Sequence, residues 1–148
     1  MVDLIWKMGG QAGEGAMVTG RTLGKTFTRG GLNVIGYPEY PSLIRGGHNT
    51  YQIRVSDAAI NSPLQKIDVV VALNKEGIYF HHANLKDGGA LVYDEAIDIS
   101  KYPIRADIRK CPMPFSRRCI SNVIAWWRPV ARKGSVSPWP RPCSRGCR

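Results

Sequence analysis

Hydrophobic and polar positions follow first a strand period and then a helix period at the start of the chain. Residues Asp3 to Met8 contain a short apolar run that stops at Gly9-Gly10, which predicts a buried strand entering a tight turn. After Gly15 the apolar positions take helical spacing and fall on one face: Ala16, Gly20, Leu23 and Phe27. Gly30-Gly31 supply a C-terminal stop for that helix. The order strand, glycine turn, helix is typical of an α/β unit.

The same reading continues to about residue 110. Leu32 to Tyr37 and the alternating Thr50 to Val55 predict two strands, and the Val-rich run Ile67 to Leu73 predicts a central parallel strand covered on both faces. Further along, the pattern predicts a short helix, a strand, and an alternating strand-like segment, at Glu76 to Leu85, Gly89 to Tyr93 and Ile104 to Arg109. We therefore expect an α/β fold with an open, doubly wound, mostly parallel sheet of the Rossmann-like kind.

Composition changes abruptly near Cys111. Residues 1–110 carry 13 Lys and Arg against all 11 acidic residues, whereas residues 111–148 carry eight basic residues and no acid. The net charge of +10 therefore belongs mainly to the end of the chain and does not indicate a specific nucleic-acid surface. We expect one folded domain over residues 1–115, followed over residues 116–148 by an irregular basic tail rich in Pro, Arg and Cys. That tail reads as disordered or as the product of a reading-frame shift.

The sequence pattern does not indicate a membrane protein or a metal-binding protein. No run of about 18 apolar residues occurs and the N-terminus lacks the features of a signal peptide, so we expect a cytoplasmic protein without a membrane span. The cysteines at 111, 119, 143 and 147 lack the short paired spacings of a zinc or iron-sulfur ligand set, so we expect no metal and free thiols. His81-His82 are helix neighbours that point about 100° apart, which predicts a solvated helix end.

The first candidate for chemistry is the glycine turn MGGQAGEG. Its residues Gly9, Gly10, Gln11, Gly13, Glu14 and Gly15 stand between a strand and a helix, where backbone N–H groups can bind an anion or can simply make a tight turn. The dinucleotide fingerprint is imperfect, because Ala12 replaces the glycine that admits a pyrophosphate, and Glu14 places a negative side chain where a phosphate would lie. Neither a Walker lysine nor a nucleophile elbow is present.

The second candidate is the segment GYPEYPSLIRGGHNTYQIRVSD, from Gly36 to Asp57. It uses larger side chains than a simple connection requires, which favours a binding site or a partner surface. Arg45, His48 and Asn49 can bind a carboxylate, a phosphate or a carbonyl oxygen. Alternatively, Arg45 pairs with Glu39 and His48 bonds to a backbone carbonyl.

Together these segments, with Ser62-Pro63 and DVVVALN at Asp68 to Asn74, closely resemble the gamma subunit or domain of the 2-oxoacid:ferredoxin oxidoreductases. This family includes pyruvate, ketoisovalerate and 2-oxoglutarate enzymes, and the likeness is closest to the fused gamma-alpha type. It covers roughly residues 1–115. The resemblance implies oxidative decarboxylation of a 2-oxoacid to an acyl-CoA with reduction of ferredoxin, an oxidoreduction with an iron-sulfur protein as acceptor.

The resemblance also implies which subunits or domains bind each cofactor. Thiamine pyrophosphate and iron-sulfur clusters are expected in alpha and beta partner subunits or domains, and ferredoxin is met through the complex. This chain is expected to contribute subunit assembly and coenzyme A binding, and to be inactive alone. The implied cofactor-binding residues are Gly9, Gly10, Gln11, Gly13, Glu14, Gly15, Arg45, His48 and Asn49, and the implied subunit or substrate loop contains Tyr37, Glu39, Tyr40 and Ser42. The alternative is a free-standing dinucleotide-binding oxidoreductase domain.

Overall fold

Six strands and two α-helices are formed by residues 2–40 and 47–113, the part of the chain that the computed structural model describes. In chain order these are β1 (Asp3–Gln11), α1 (Ala16–Arg29), β2 (Asn33–Glu39), β3 (His48–Ser56), β4 (Ile67–Ala72), α2 (Lys75–His81), β5 (Leu85–Asp94) and β6 (Arg109–Met113). Short 3₁₀ turns occur at His82–Asn84 and Ile99–Lys101. The predictions for Ser42, Arg45 and the tail after residue 113 lie outside the described residues.

All six strands belong to one sheet with the order β2-β3-β1-β4-β5-β6. Strand β1 pairs in parallel with β4, β4 with β5, and β5 with β6, whereas β3 is antiparallel to both of its neighbours. Five strands therefore run in one direction and β3 runs against them. The predicted open, mostly parallel α/β sheet is confirmed.

Each helix covers a different face of this sheet. The face under α1 buries Trp6 and Met8 against helix residues that include Leu23 and Phe27. The opposite face buries Ile5 and Val70 against Ile78 of α2. Consecutive residues of a strand point to opposite faces, so Ile5 and Trp6 enter different cores. The sheet is doubly wound, as the sequence predicts, and the helical face predicted for α1 is the face that it buries.

Strand β4 confirms the central parallel strand, since it lies between β1 and β5 and its Val70 and Val71 have no exposed surface. Strand β1, however, passes through Gly9 and Gly10 and ends at Gln11, three residues later than predicted. The reason is tertiary: pairing with β3 continues as far as Gln11 and gives those backbone groups partners. The turn proper begins only after Gln11.

Three other predicted boundaries were wrong. Helix α2 ends at His81 because a 3₁₀ turn follows it, and β5 already begins at the buried Leu85. The alternation from Ile104 to Arg109 belongs mainly to a loop, and β6 begins only at Arg109. Ile104 packs against the core on the α2 side, and Ile108 is buried within it. A loop whose apolar side chains cover a sheet face imitates the period of a strand.

Candidate functional site

The glycine turn and the start of β3 lie side by side at the carboxyl end of β1, in the interior of the sheet. In the register of β1 with β3, Gly10 pairs with Asn49 and Gln11 pairs with His48. These pairs lie at the carboxyl end of β1, beside the end of its parallel neighbour β4. The chain leaves β1 for α1 on one face and leaves β4 for α2 on the other, which is the topological switch point where open α/β sheets bind ligands. The structure thus brings together the two segments that the sequence singles out.

The glycine turn is closed by its own acidic side chain. The backbone N–H of Gln11 donates to Glu14 Oε2 at 2.6 Å, and the Asn74 side-chain amide donates to the same oxygen at 3.4 Å. The backbone N–H of Glu14 donates in turn to the Gln11 carbonyl oxygen at 3.1 Å. Gly13 and Gly15 have φ angles of 97° and 91°, a left-handed conformation that favours glycine. The carboxylate of Glu14 therefore takes up a backbone donor of the turn that an external anion could otherwise use.

His48 faces a second histidine that the sequence analysis placed in solvent. The Nε2 atoms of His48 and His81 are 2.8 Å apart, and His81 is only 6% exposed. The prediction of a solvated helix end is therefore wrong for His81, because its side chain lies against β1 and reaches His48 at the start of β3. Gly9 makes this possible: a Cβ at that position would lie 2.7 Å from the His48 ring and 3.2 Å from the His81 ring. Phe80 completes the cluster, with its ring centroid 5.3 Å from that of His48.

The electrostatics of the pair favour neutral imidazoles. Burial, followed by the positive charge of Lys7 and by His48, lowers the pKa of His81 to about 3. Burial also lowers the pKa of His48, although nearby carboxylates oppose that shift. Two neutral rings can share a hydrogen bond when one Nε2 donates and the other accepts. Among the described residues neither buried Nδ1 atom has a hydrogen-bond partner.

Among the described residues, Lys7 and Thr50 hold the carboxylate of Glu39. Lys7 Nζ lies 2.7 Å from Glu39 Oε2, and the Thr50 hydroxyl donates to the same oxygen. Burial acts to raise the pKa of Glu39, but the hydrogen bonds from Lys7 and Thr50 bring it below its usual value. Among the described residues Glu39 forms an ion pair with Lys7, whereas Arg45 lies outside them and its pair with Glu39 stays a prediction. Lys7 was missed because it stands inside an otherwise apolar strand.

A pocket of about 450 Å³ opens beside this ion pair, on the sheet face opposite α1. Its walls are mostly polar and include Lys7, Tyr37, Glu39, Gln52, Leu64 and Asn84. Gln52 is fixed by donating from Nε2 to the Leu64 carbonyl oxygen at 2.6 Å. Tyr37 and Tyr40 are both about half exposed, with 49% and 59% of their surfaces accessible. Of the predicted loop residues, Tyr37, Glu39 and Tyr40 therefore border an accessible surface.

Residues 2–40 and 47–113 contain neither a candidate metal site nor a candidate membrane-spanning helix. No three His, Cys, Asp or Glu side chains there are placed so that they could hold a metal ion. Over the same residues, neither helix has the length and apolar character needed to cross a membrane.

Comparison with known sequences relates the chain to one enzyme family. The sequence profile of the pyruvate ferredoxin/flavodoxin oxidoreductase family matches residues 5–122. The chain is 33% identical over 98 residues to a 2-oxoacid:ferredoxin oxidoreductase subunit alpha from a Sulfolobus species, which covers 66% of this chain and 15% of that subunit. It is 31% identical over 90 residues to the 2-oxoglutarate synthase subunit KorC of Methanothermobacter thermautotrophicus, covering 60% of this chain and 48% of KorC.

Solved structures show the same relation. The fold superposes with a TM-score of 0.73 and 30% identity on 2-oxoglutarate:ferredoxin oxidoreductase from Magnetococcus marinus, solved with 2-oxoglutarate, coenzyme A and succinyl-CoA bound, over 82% of this chain and 21% of that one. The gamma subunit of a keto/oxoacid ferredoxin oxidoreductase from Geobacter sulfurreducens shares the fold at 20% identity and a TM-score of 0.65, over 89% of this chain and 68% of that subunit. The chain therefore spans a small part of the large relatives and about half to two thirds of the small ones.

Proposed function

The chain belongs to the pyruvate ferredoxin/flavodoxin oxidoreductase family, and from this premise we propose that it is a gamma-type component of a 2-oxoacid:ferredoxin oxidoreductase. It is similar to alpha subunits of which it spans only 15%, so most of such an enzyme would be supplied by other parts. We propose that alpha and beta subunits or domains provide the thiamine pyrophosphate and the iron-sulfur clusters, and that ferredoxin is reduced through this cytoplasmic hetero-oligomer.

One observation carries the proposal: the pairing of Gly10 with Asn49 and of Gln11 with His48 joins the two segments that carry the family likeness in one surface at the carboxyl end of β1, the docking face. Tyr37 and Tyr40 extend the accessible surface near that face. Exposed aromatic residues are favoured at protein interfaces, because they bury a large apolar area while keeping a polar group for hydrogen bonding. We propose this face as the docking surface for the partner subunits and for coenzyme A.

The residues fit one part of coenzyme A better than another. Glu14 already accepts from the Gln11 N–H, so the turn does not fit the diphosphate. The side-chain amides of Gln11 and Asn49 stand on opposite faces of the sheet at this end. Each offers donors and acceptors without net charge, which fits the neutral amide-bearing arm of coenzyme A. Coenzyme A, when bound, supplies the thiol that accepts the acyl group. We propose that this chain positions the amide-bearing arm of coenzyme A.

The free-standing dinucleotide-binding alternative is disfavoured. A dinucleotide needs the first turn to bind its pyrophosphate through backbone N–H groups at a helix N-terminus. Here Ala12 and Glu14 both oppose that arrangement.

Reconstitution tests the proposed function. The full chain is purified, alone and with the candidate alpha and beta subunits, and 2-oxoacid-dependent ferredoxin reduction is measured with and without coenzyme A. We expect no activity from the chain alone, and coenzyme A-dependent reduction only when all subunits are present. Full activity without this chain, or NADH binding by the chain in the absence of coenzyme A binding, would overturn the proposal.

A further inference from the structure

The contacts of Glu14 cross the crevice between two loops. Glu14 lies in the loop after β1. Its carboxylate oxygen accepts from the backbone N–H of Gln11, the last residue of β1, and from the side chain of Asn74, in the loop after β4. These loops follow neighbouring parallel strands whose helices lie on opposite faces of the sheet. Ligands of open α/β folds bind in the crevice at that position. An acidic side chain of the protein itself occupies it here.

Gly10 supplies the space for this arrangement. A Cβ built on Gly10 would lie 2.7 Å from Glu14 Oε2, a distance that real Cβ contacts essentially never show. In dinucleotide-binding folds the fingerprint glycines let the backbone approach the pyrophosphate closely. In this chain the missing side chain lets a carboxylate approach instead. Glycine at position 10 therefore leaves room for the Glu14 carboxylate beside Leu73.

We infer that Glu14 is a built-in anion that fills the phosphate position of this nucleotide-type fold, and that it is the specificity-determining residue that keeps phosphate and diphosphate ligands out of the glycine turn. Two negative groups juxtaposed in one site oppose binding strongly. The N–H of Gln11, which would otherwise be available to a phosphate oxygen, is already satisfied. The turn keeps the geometry of an anion site while excluding external anions.

Removal of the carboxylate tests the inference. Inorganic pyrophosphate is titrated by calorimetry at low salt into the full chain as wild type, E14A, E14Q and E95A. Glu95 is an exposed acid that follows β5, two strands from β1 in the sheet, so E95A makes the same change in net charge without removing the contacts of Glu14. Circular dichroism establishes that each variant is folded.

We expect E14A to bind pyrophosphate about tenfold or more tighter than wild type, because both the repulsion and the competing acceptor are gone. E14Q should gain less, because its amide oxygen still accepts from Gln11, and E95A should match wild type. The inference is overturned if no folded Glu14 variant gains affinity, with E14Q deciding alone should E14A fail to fold. It is also overturned if E95A gains as much as E14A. Pyrophosphate as probe makes the outcome independent of the partner subunits and of coenzyme A binding.

Discussion

Substitution of Gly20 by alanine probes how tightly α1 is packed on the sheet. Gly20 is on the buried face of α1, and a Cβ there would lie 2.4 Å from Cδ1 and 2.5 Å from Cγ of Tyr51 on β3. The ring cannot simply move away, because its hydroxyl end lies over Gly36, where a Cβ would be 2.6 Å from that oxygen. The ring of Tyr51 therefore occupies the space left by two glycines on neighbouring elements.

Two opposing effects set the size of the change. Alanine in place of glycine inside a helix favours folding by about 1 kcal/mol, because glycine loses more backbone entropy. Overpacking a buried contact of this kind costs about 1–3 kcal/mol. Since an overlap at 2.4 Å to the ring requires the backbone or the strand to shift, we expect the cost to prevail. The closeness of that overlap places the cost in the upper half of its range, about 2–3 kcal/mol, so G20A should lower the free energy of unfolding by about 1–2 kcal/mol.

Gly24, one turn further along α1, is the matched control. The nearest atom to a Cβ there is Val34 Cγ1 at 3.7 Å, an ordinary contact. G24A should therefore gain about 0.5–1 kcal/mol from helix propensity. Urea unfolding followed by far-ultraviolet circular dichroism measures both variants against wild type. A G20A protein as stable as wild type, or a shift of both variants in the same direction, would refute the packing argument.

The remaining predictions concern the polar cluster beside the site. K7M should lower the free energy of unfolding by about 1–3 kcal/mol, because it leaves the half-buried Glu39 without its ammonium partner. In urea unfolding, the double variant K7M/E39Q should recover part of that loss. If the losses of K7M and E39Q simply add in the double variant, the pairing is contradicted. G9A should destabilise the fold and loosen the His48–His81 contact, because its Cβ would lie 2.7 Å from the His48 ring, and a widened or lost contact in a crystal structure of the variant would show it. Because the pKa of His81 is lowered to about 3 in the folded state, only the unfolded chain takes up its proton near pH 5; stability should therefore fall by about 2 kcal/mol between pH 7 and 5. H81N should flatten that slope, and an unchanged slope would count against a buried neutral His81.

The local sequence pattern was sufficient to predict most of the helices and strands, but not the residues at which they begin and end. The run Ile67 to Leu73 predicted a central strand because a strand covered on both faces must be apolar throughout, and β4 agrees with it. The end of β1 was misplaced because the partner that extends it, β3, lies about 40 residues further along the chain. The loop containing Ile104 was mistaken for a strand because burial on a sheet face also imposes alternation.

The site was predicted in the same partial way. The glycine turn and the segment containing His48 stand out by residue type, and the family likeness ties them together, so their importance was readable from the chain. The partners of these residues were not readable. His81 and Lys7 enter the site only through the packing of α2 and the register of β1 with its neighbours, and neither has a local signal that separates it from an ordinary helix end or strand position.

The sequence by itself determined the class of fold, the family and the two segments that matter, because periodicity, glycine placement and short motifs are properties of neighbouring residues. Only the tertiary structure decided that His48 meets His81, that Glu39 pairs with Lys7, and that Glu14 closes its own turn against Asn74. The two histidines, the ion pair and the Glu14–Asn74 contact join residues between 32 and 60 positions apart. Such contacts depend on strand order and on which face each helix covers, and these are set by burial of the whole core rather than by any local stretch of chain.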